Sequence, residues 1–173
     1  MKTNNLEIKG NSLINERNRI TTEIGRYWNI IATENVVKKG MIRNYDLKQL
    51  LTQIRALYEQ LIIIKLRIQC ANMGMKLKEL PRDANIINVY KLSAYNEYFV
   101  KIDEMMRKHT INPIIKQKKG KKALNVTEEL TYAYLKNIKD KTAIELNQLR
   151  KDIAKFNDNE DLSDDSIPLF LVA

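Results

Sequence analysis

Five lysines, Lys116, Lys118, Lys119, Lys121 and Lys122, surround Gly120, and no carboxylate falls between residues 110 and 122. Ammonium groups at this density could follow a phosphate backbone, neutralising it without reading its sequence. Arg17, Arg19 and Arg26 lie along one segment of helical pattern and could extend such a surface. Tyr90, Tyr95 and Tyr98 could stack bases, although their spacing fits core packing better. A lysine-rich loop is also simply well solvated, so phosphate contact and plain solvation both stand as readings.

Other chemistry is scarce. His109 is the sole histidine, placed at an expected helix end, where an imidazolium complements the helix dipole. A zinc site needs more His or Cys than this chain holds. Neither GxGxxG nor GxxxxGK[ST] occurs, so the usual nucleotide loops are missing. Asp103-Glu104 and Glu128-Glu129 are adjacent pairs, which point to different helix faces. A di-metal carboxylate bundle would need Glu-x-x-His pairs on facing helices. Cys70 is the only cysteine, which excludes an internal disulfide and suits a reducing cytosol. It sits in an apolar register and reads as a small buried hydrophobe. The residues therefore point away from an enzyme, and no cofactor or metal is expected.

The net charge of +9 is uneven. Residues 1–45 and 46–109 each carry +4, residues 110–122 carry +5, and residues 123–173 carry −4. Such asymmetry fits a polyanion partner or charge complementarity between copies of the chain. A competing explanation is compositional. Lysine outnumbers arginine 21 to 9, as AT-rich codon usage alone would produce.

The elements that must position these groups are helices. Leu50, Ile54, Leu57, Leu61, Ile64, Ile68 and Ala71 recur at steps of four and three, the spacing of a helix packed on other helices. A second stripe, Leu47, Leu51, Ile54, Tyr58 and Leu61, lies beside it, so this helix should bury two flanks and sit centrally. Asn44 is expected to cap it, with Asp46 in its first turn, and Gly74 to follow its end near Met73. An earlier helix should start after Asn11 or Ser12 and present Leu13, Ile20, Ile24, Tyr27 and Ile31, with Trp28 half-buried beside them. The linker 36–44 shows no periodicity. Pro81 separates a third helix, from about Asp83 to His109, with Leu92, Tyr95, Phe99, Ile102 and Met106 as its stripe. Thr127 is expected to cap a fourth, with Glu128 and Glu129 in its first turn and Leu130, Tyr134, Ile138, Leu146, Leu149, Ile153 and Phe156 facing inward.

Only five Gly and three Pro occur in 173 residues, too few for a turn-rich fold. The expectation is an all-α antiparallel bundle of about four main helices, a single helical domain over 1–173. It carries a basic loop at 114–123 and an acidic segment with an apolar tail at 158–173. That tail, which includes Leu169, Phe170 and Leu171, could dock on a partner. No signal peptide or membrane span is expected: the first residues are polar, and the most apolar run, Leu61 to Leu66, contains Lys65. A cytoplasmic location follows as the default.

Glu16-Arg17, Val37, Gly40, Leu50-Leu51, Arg67-Ile68-Gln69-Cys70-Ala71-Asn72, Glu145-Leu146, Ile153, Asn157 and Leu162 together resemble a small bacterial family of helical proteins known as septicolysin-like. The family has Asn where this chain has Gln69, and Trp where it has Asp158. The resemblance spans about two-thirds of the chain and implies a helical hairpin or bundle, with little chemistry. Its name also suggests pore formation. Three function classes follow: first, a non-enzymatic helical interaction or assembly module, oligomeric or docked on a larger complex; second, a sequence-independent RNA- or DNA-binding subunit of a phage, mobile element or defence system, similar in size and charge to the small helical subunits of CRISPR effector complexes; third, a pore-forming protein.

Overall fold

The computed structural model describes residues 3–81, 84–111 and 125–159, with side chains described in 11–81, 84–111 and 125–157. Helices make up 78% of the described residues, so the fold is all-α. Four helices, α1 (Thr3–Glu34), α2 (Leu47–Asn72), α3 (Asn85–Lys108) and α4 (Tyr132–Asn159), run alternately up and down. α2 packs against both α1 and α3, and α3 carries α4. Two three-residue strands, β1 (Val36–Lys38) and β2 (Val126–Glu128), pair antiparallel with Val37 opposite Thr127.

The two stripes on α2 explain its central place. Leu47, Ile54 and Tyr58 are fully buried, and Leu51, Leu57 and Leu61 nearly so. α1 contributes Ile20, Ile24, Trp28 and Ile31 to the same core, and α3 contributes Tyr95, Tyr98, Ile102, Met105 and Met106. Cys70 is buried, as its register requires. Gly74 takes a positive φ of 71° directly after the Met73 C-cap, where a side chain would be strained.

Several local expectations change. α1 starts at Thr3, so Asn11 and Ser12 lie inside it and cap nothing; Gly10 alone opposes helix upstream of them. Trp28 is buried, packed at 5.8 Å from the Tyr98 ring. Ala71 is exposed, in the last turn of α2. Asp46 is the N-cap of α2, its carboxylate accepting from the Gln49 N–H at 2.8 Å, while Asn44 bonds Glu34. The linker is not featureless: the β-branched pair Val36-Val37 finds Val126 and Thr127 across a ladder. Thr127 therefore lies in a strand, and Thr131 receives the Tyr134 N–H at the start of α4. On α4, Leu135 is fully buried and Tyr134 is exposed, one step from the expected face. The Asn112-Pro113 stop and the 114–123 loop lie outside the described residues; α3 itself ends at Lys108.

Candidate functional site

The sheet joins the four helix ends at one pole of the bundle, the C-termini of α1 and α3 and the N-termini of α2 and α4. Asn35 is completely buried there. Its Nδ2 donates to the carbonyls of His109 (2.9 Å) and Leu130 (3.0 Å), and its Oδ1 accepts from the Leu130 N–H (2.7 Å). Arg43 donates to the carbonyls of Glu34, Asn35 and Thr127, each at 2.9 Å. Glu129 caps α2 from outside it, accepting from the N–H groups of Leu47 (2.8 Å) and Lys48 (3.2 Å). Glu128 takes the Ile111 N–H at 2.7 Å. The sequence-expected acidic first turn thus serves α2 and the α3 exit instead of α4. Each of these polar groups holds backbone, so together they act as a latch at this pole.

The middle of the bundle is likewise committed. The Arg55 guanidinium lies 3.7 Å from the centroid of the Tyr95 ring and pairs with Glu145 (2.8 Å) and Glu59 (3.5 Å). The Tyr95 hydroxyl donates to Glu59 at 2.6 Å. Burial, and then that bond, push the Tyr95 phenol up to about 12. Burial does the same to Tyr98, also to about 12. Such phenols neither gain nor lose a proton near neutrality. Tyr95 and Tyr98 are thus core residues, and Tyr90 alone of the three remains half-buried at a cleft.

The opposite pole differs in charge. Within 11–19, 60–81, 84–96 and 147–157 there are ten cations (Arg17 and Arg19; Lys65, Arg67, Lys76 and Lys78; Lys91; Arg150, Lys151 and Lys155) and three carboxylates (Glu16, Glu79 and Asp152). The sheet half, 20–59, 97–111 and 125–146, holds twelve cations and eleven carboxylates. Of the ten cations, Arg19 alone has an ion-pair partner among the described residues, bonding Glu16 (2.8 Å) and Glu23 (3.2 Å). Two helix N-termini and two C-termini meet at this pole, so the backbone dipoles oppose one another and ask for no cationic excess.

A cleft opens there between α1, α2 and α3, with a volume of about 370 Å³. Arg17, Lys65, Ile68, Val89, Tyr90 and Ser93 line it. Arg17 is steadied by Asn18, whose Oδ1 accepts from Nε (3.2 Å) and Nη2 (2.9 Å). Arg19 and Arg26 do not join it. They are two helical turns apart on one side of α1, and Arg17 is turned about 200° from Arg19. Arg26 lies 3.8 Å from Glu23 and 4.8 Å from the Tyr27 ring centroid. Lys65 and Ser93 were not singled out by sequence reasoning. No local signal marks them, since the pole draws its cations from four separate segments.

The lysines 116, 118, 119, 121 and 122 and the tail residues Leu169, Phe170 and Leu171 lie outside the described residues. Ile111 and Asn125, which flank the basic loop, sit at the sheet pole: Asn125 accepts from the Lys39 N–H and Ile111 is held by Glu128. His109 is the C-cap of α3. Among the described residues no group of three metal-ligating side chains occurs, and no helix is long and apolar enough to cross a membrane. Fold and site together define an antiparallel four-helix bundle latched at one pole and cationic at the other. The chain matches no family model, no curated protein and no solved structure.

Proposed function

We propose that the chain is a non-enzymatic helical interaction module that holds the phosphate backbone of a nucleic acid at the pole away from the sheet. One observation carries this reading: among the described residues, ten cations face three carboxylates at that pole, and nine of the ten have no ion-pair partner there. Contacts of this kind ignore base sequence and release counterions. With four duplex phosphates engaged, affinity falls by roughly a hundredfold between 50 and 200 mM salt. The reading takes the protein to act in the cytoplasm, where Cys70 stays a thiol.

The test is a gel shift on two unrelated sequences over that salt range. A variant with Arg17, Lys65, Arg67 and Lys91 changed to Gln should weaken binding to both alike and flatten the salt slope. A matched variant at the sheet half, with Lys38, Lys39, Lys136 and Lys141 changed to Gln, should change little. The basic loop enters through a third variant, with Lys116, Lys118, Lys119, Lys121 and Lys122 all changed to Gln. If that variant alone loses binding, the loop and not the pole is the contact. If the wild type binds neither sequence near 50 mM salt, the nucleic-acid reading fails.

A second reading has its own observation. Ile42 is 92% exposed and Met41 61%, on a loop that Arg43 clamps to three backbone carbonyls. A rigid apolar tip of this kind suits docking on a protein partner or a second copy, with Leu169, Phe170 and Leu171 as the other proposed contact. Light scattering on the wild type and on a Met41→Ser/Ile42→Ser variant decides whether the tip drives self-association.

A further inference from the structure

We infer that the Arg17–Lys65–Tyr90 cleft receives a single unpaired nucleotide, so that the protein favours single strands over duplex. The inference rests on the nucleic-acid reading above and specifies the ligand of that pole. Its support is the mixture of groups in one place. Arg17 and Lys65 supply two cations, one a planar fork steadied by Asn18 and the other a mobile ammonium. The Tyr90 and Ser93 hydroxyls add neutral donors and acceptors. Ile68, Val89 and the half-buried Tyr90 ring supply an apolar wall beside them.

A duplex would leave that wall unused. Its bases are stacked on one another, and only its phosphates and groove edges meet the protein. A splayed strand presents both parts at once, an anionic phosphate and a flat aromatic face. Single-strand binders combine these two elements, a cationic path for the backbone and aromatic side chains for the bases. A volume of about 370 Å³ falls at the small end of ligand-sized sites, commonly about 300–1,000 Å³. That is room for one inserted group, not for a groove-width surface. Val89 supports the same point: it is 41% exposed at the cleft, an apolar side chain that a purely cationic phosphate track does not require. Arg67, Lys76, Lys78 and Lys91, at the same pole, are then free to follow the flanking phosphates.

The experiment is fluorescence anisotropy on the full chain, with a labelled 20-nucleotide strand and the blunt duplex of the same sequence, at about 100 mM salt. The wild type should bind the strand at least severalfold more tightly than the duplex. Tyr90→Ala should weaken strand binding by about five- to a hundredfold, the range of one base–aromatic stack, and leave duplex binding unchanged. Tyr90→Phe should retain most of the strand affinity, because it keeps the ring. Arg17→Gln with Lys65→Gln should weaken both ligands and reduce the single-strand salt slope by up to about 0.7 per lost contact. Tyr90 also packs on the core, so a second measurement needs no variant: a strand carrying 5-iodouracil is photocrosslinked to the wild type and the adduct mapped by mass spectrometry. A crosslink at Tyr90 is expected; crosslinks confined to other segments overturn the inference. Equal affinity for strand and duplex with a steep salt slope also overturns it, while leaving phosphate binding intact. Binding of neither ligand near 50 mM salt removes the nucleic-acid reading itself.

Discussion

Asn35→Ala should be among the most damaging small substitutions in this protein. The side chain is fully buried and makes three hydrogen bonds, to the His109 carbonyl and to both backbone groups of Leu130. It therefore ties the end of α1 to the end of α3 and the start of α4 at a single point. Each such bond contributes about 0.5–1.5 kcal/mol net, and the Leu130 N–H, stranded without its acceptor, costs about 1–3 kcal/mol more. The total comes to roughly 2.5–7.5 kcal/mol, against a whole-domain stability of about 5–15 kcal/mol. In urea, with a slope of about 1–3 kcal/mol per molar, the midpoint should fall by at least about 1 M while the slope holds. Asn29→Ala, at an exposed site on the same helix, should stay within about 0.5 kcal/mol of wild type. A loss below about 1 kcal/mol at Asn35 would show that the sheet pole does not depend on this junction, and the latch argument would fall.

Further outcomes follow from named contacts. Arg43→Lys should also destabilise the sheet pole, measurably in the same urea series, because one ammonium cannot span three carbonyls that a guanidinium fork reaches together. Leu57→Asp or Leu61→Asp should leave insoluble or non-cooperatively unfolding protein, since each puts an unpaired carboxylate into the flank of α2; soluble, cooperative mutants would show α2 is not central. Cys70→Ser and His109→Ala should leave nucleic-acid affinity in the gel shift unchanged, and loss of binding without loss of folding would revive a chemical role for either. Lys139, donating at 2.6 Å, and then Arg107 hold the Asp103 carboxyl below its usual value, and Lys108 and Lys101 do the same for Glu104. A depressed carboxyl stabilises the fold above its unfolded titration range, and that contribution is lost as the pH falls through its folded value, below about pH 4. Asp103→Asn should therefore narrow the gap between urea midpoints at pH 7 and pH 3; an unchanged gap would mean the pair is only solvated.

Periodicity made α2 readable because its two apolar stripes are long and unbroken, and burial follows them from Leu47 to Leu66. Gly74 was readable for a similar reason, as the residue that tolerates the positive φ past a helix end. The sheet pole was not readable. Three-residue strands such as β1 and β2 lack the length to show alternation, and their pairing joins residues about ninety positions apart. Glu129 was expected in the first turn of the fourth helix, but its carboxylate caps α2, and nothing local distinguishes the two. Asn35 carried no signal in the sequence because its partners, His109 and Leu130, are remote from it. The cleft shared this difficulty. Of its lining residues only Arg17 and Tyr90 stood out as candidate contacts, because the others come from separate segments and form no cluster in sequence, unlike the run of lysines after residue 115.

The charge asymmetry between the poles also weighs on the compositional explanation of the net charge. If codon bias alone inflated lysine, the excess would fall on both halves of the bundle alike. Lysine is in fact slightly more numerous in the sheet half, eight against six among the described residues. What differs is the acidic side: eleven carboxylates in the sheet half and three at the far pole, although cations number twelve and ten. A surface that needs only solubility does best with the two signs interspersed. The sheet half follows that pattern, with Arg26, Arg43, Arg55, Lys101, Arg107, Lys108 and Lys139 all matched to acids. Among the described residues the far pole departs from it by having few carboxylates, a feature that lysine inflation does not by itself produce. Like charges gathered without counterions repel one another, a cost that self-packing does nothing to offset. A bound anion would offset it, which is the role proposed above for the cleft between Arg17, Lys65 and Tyr90.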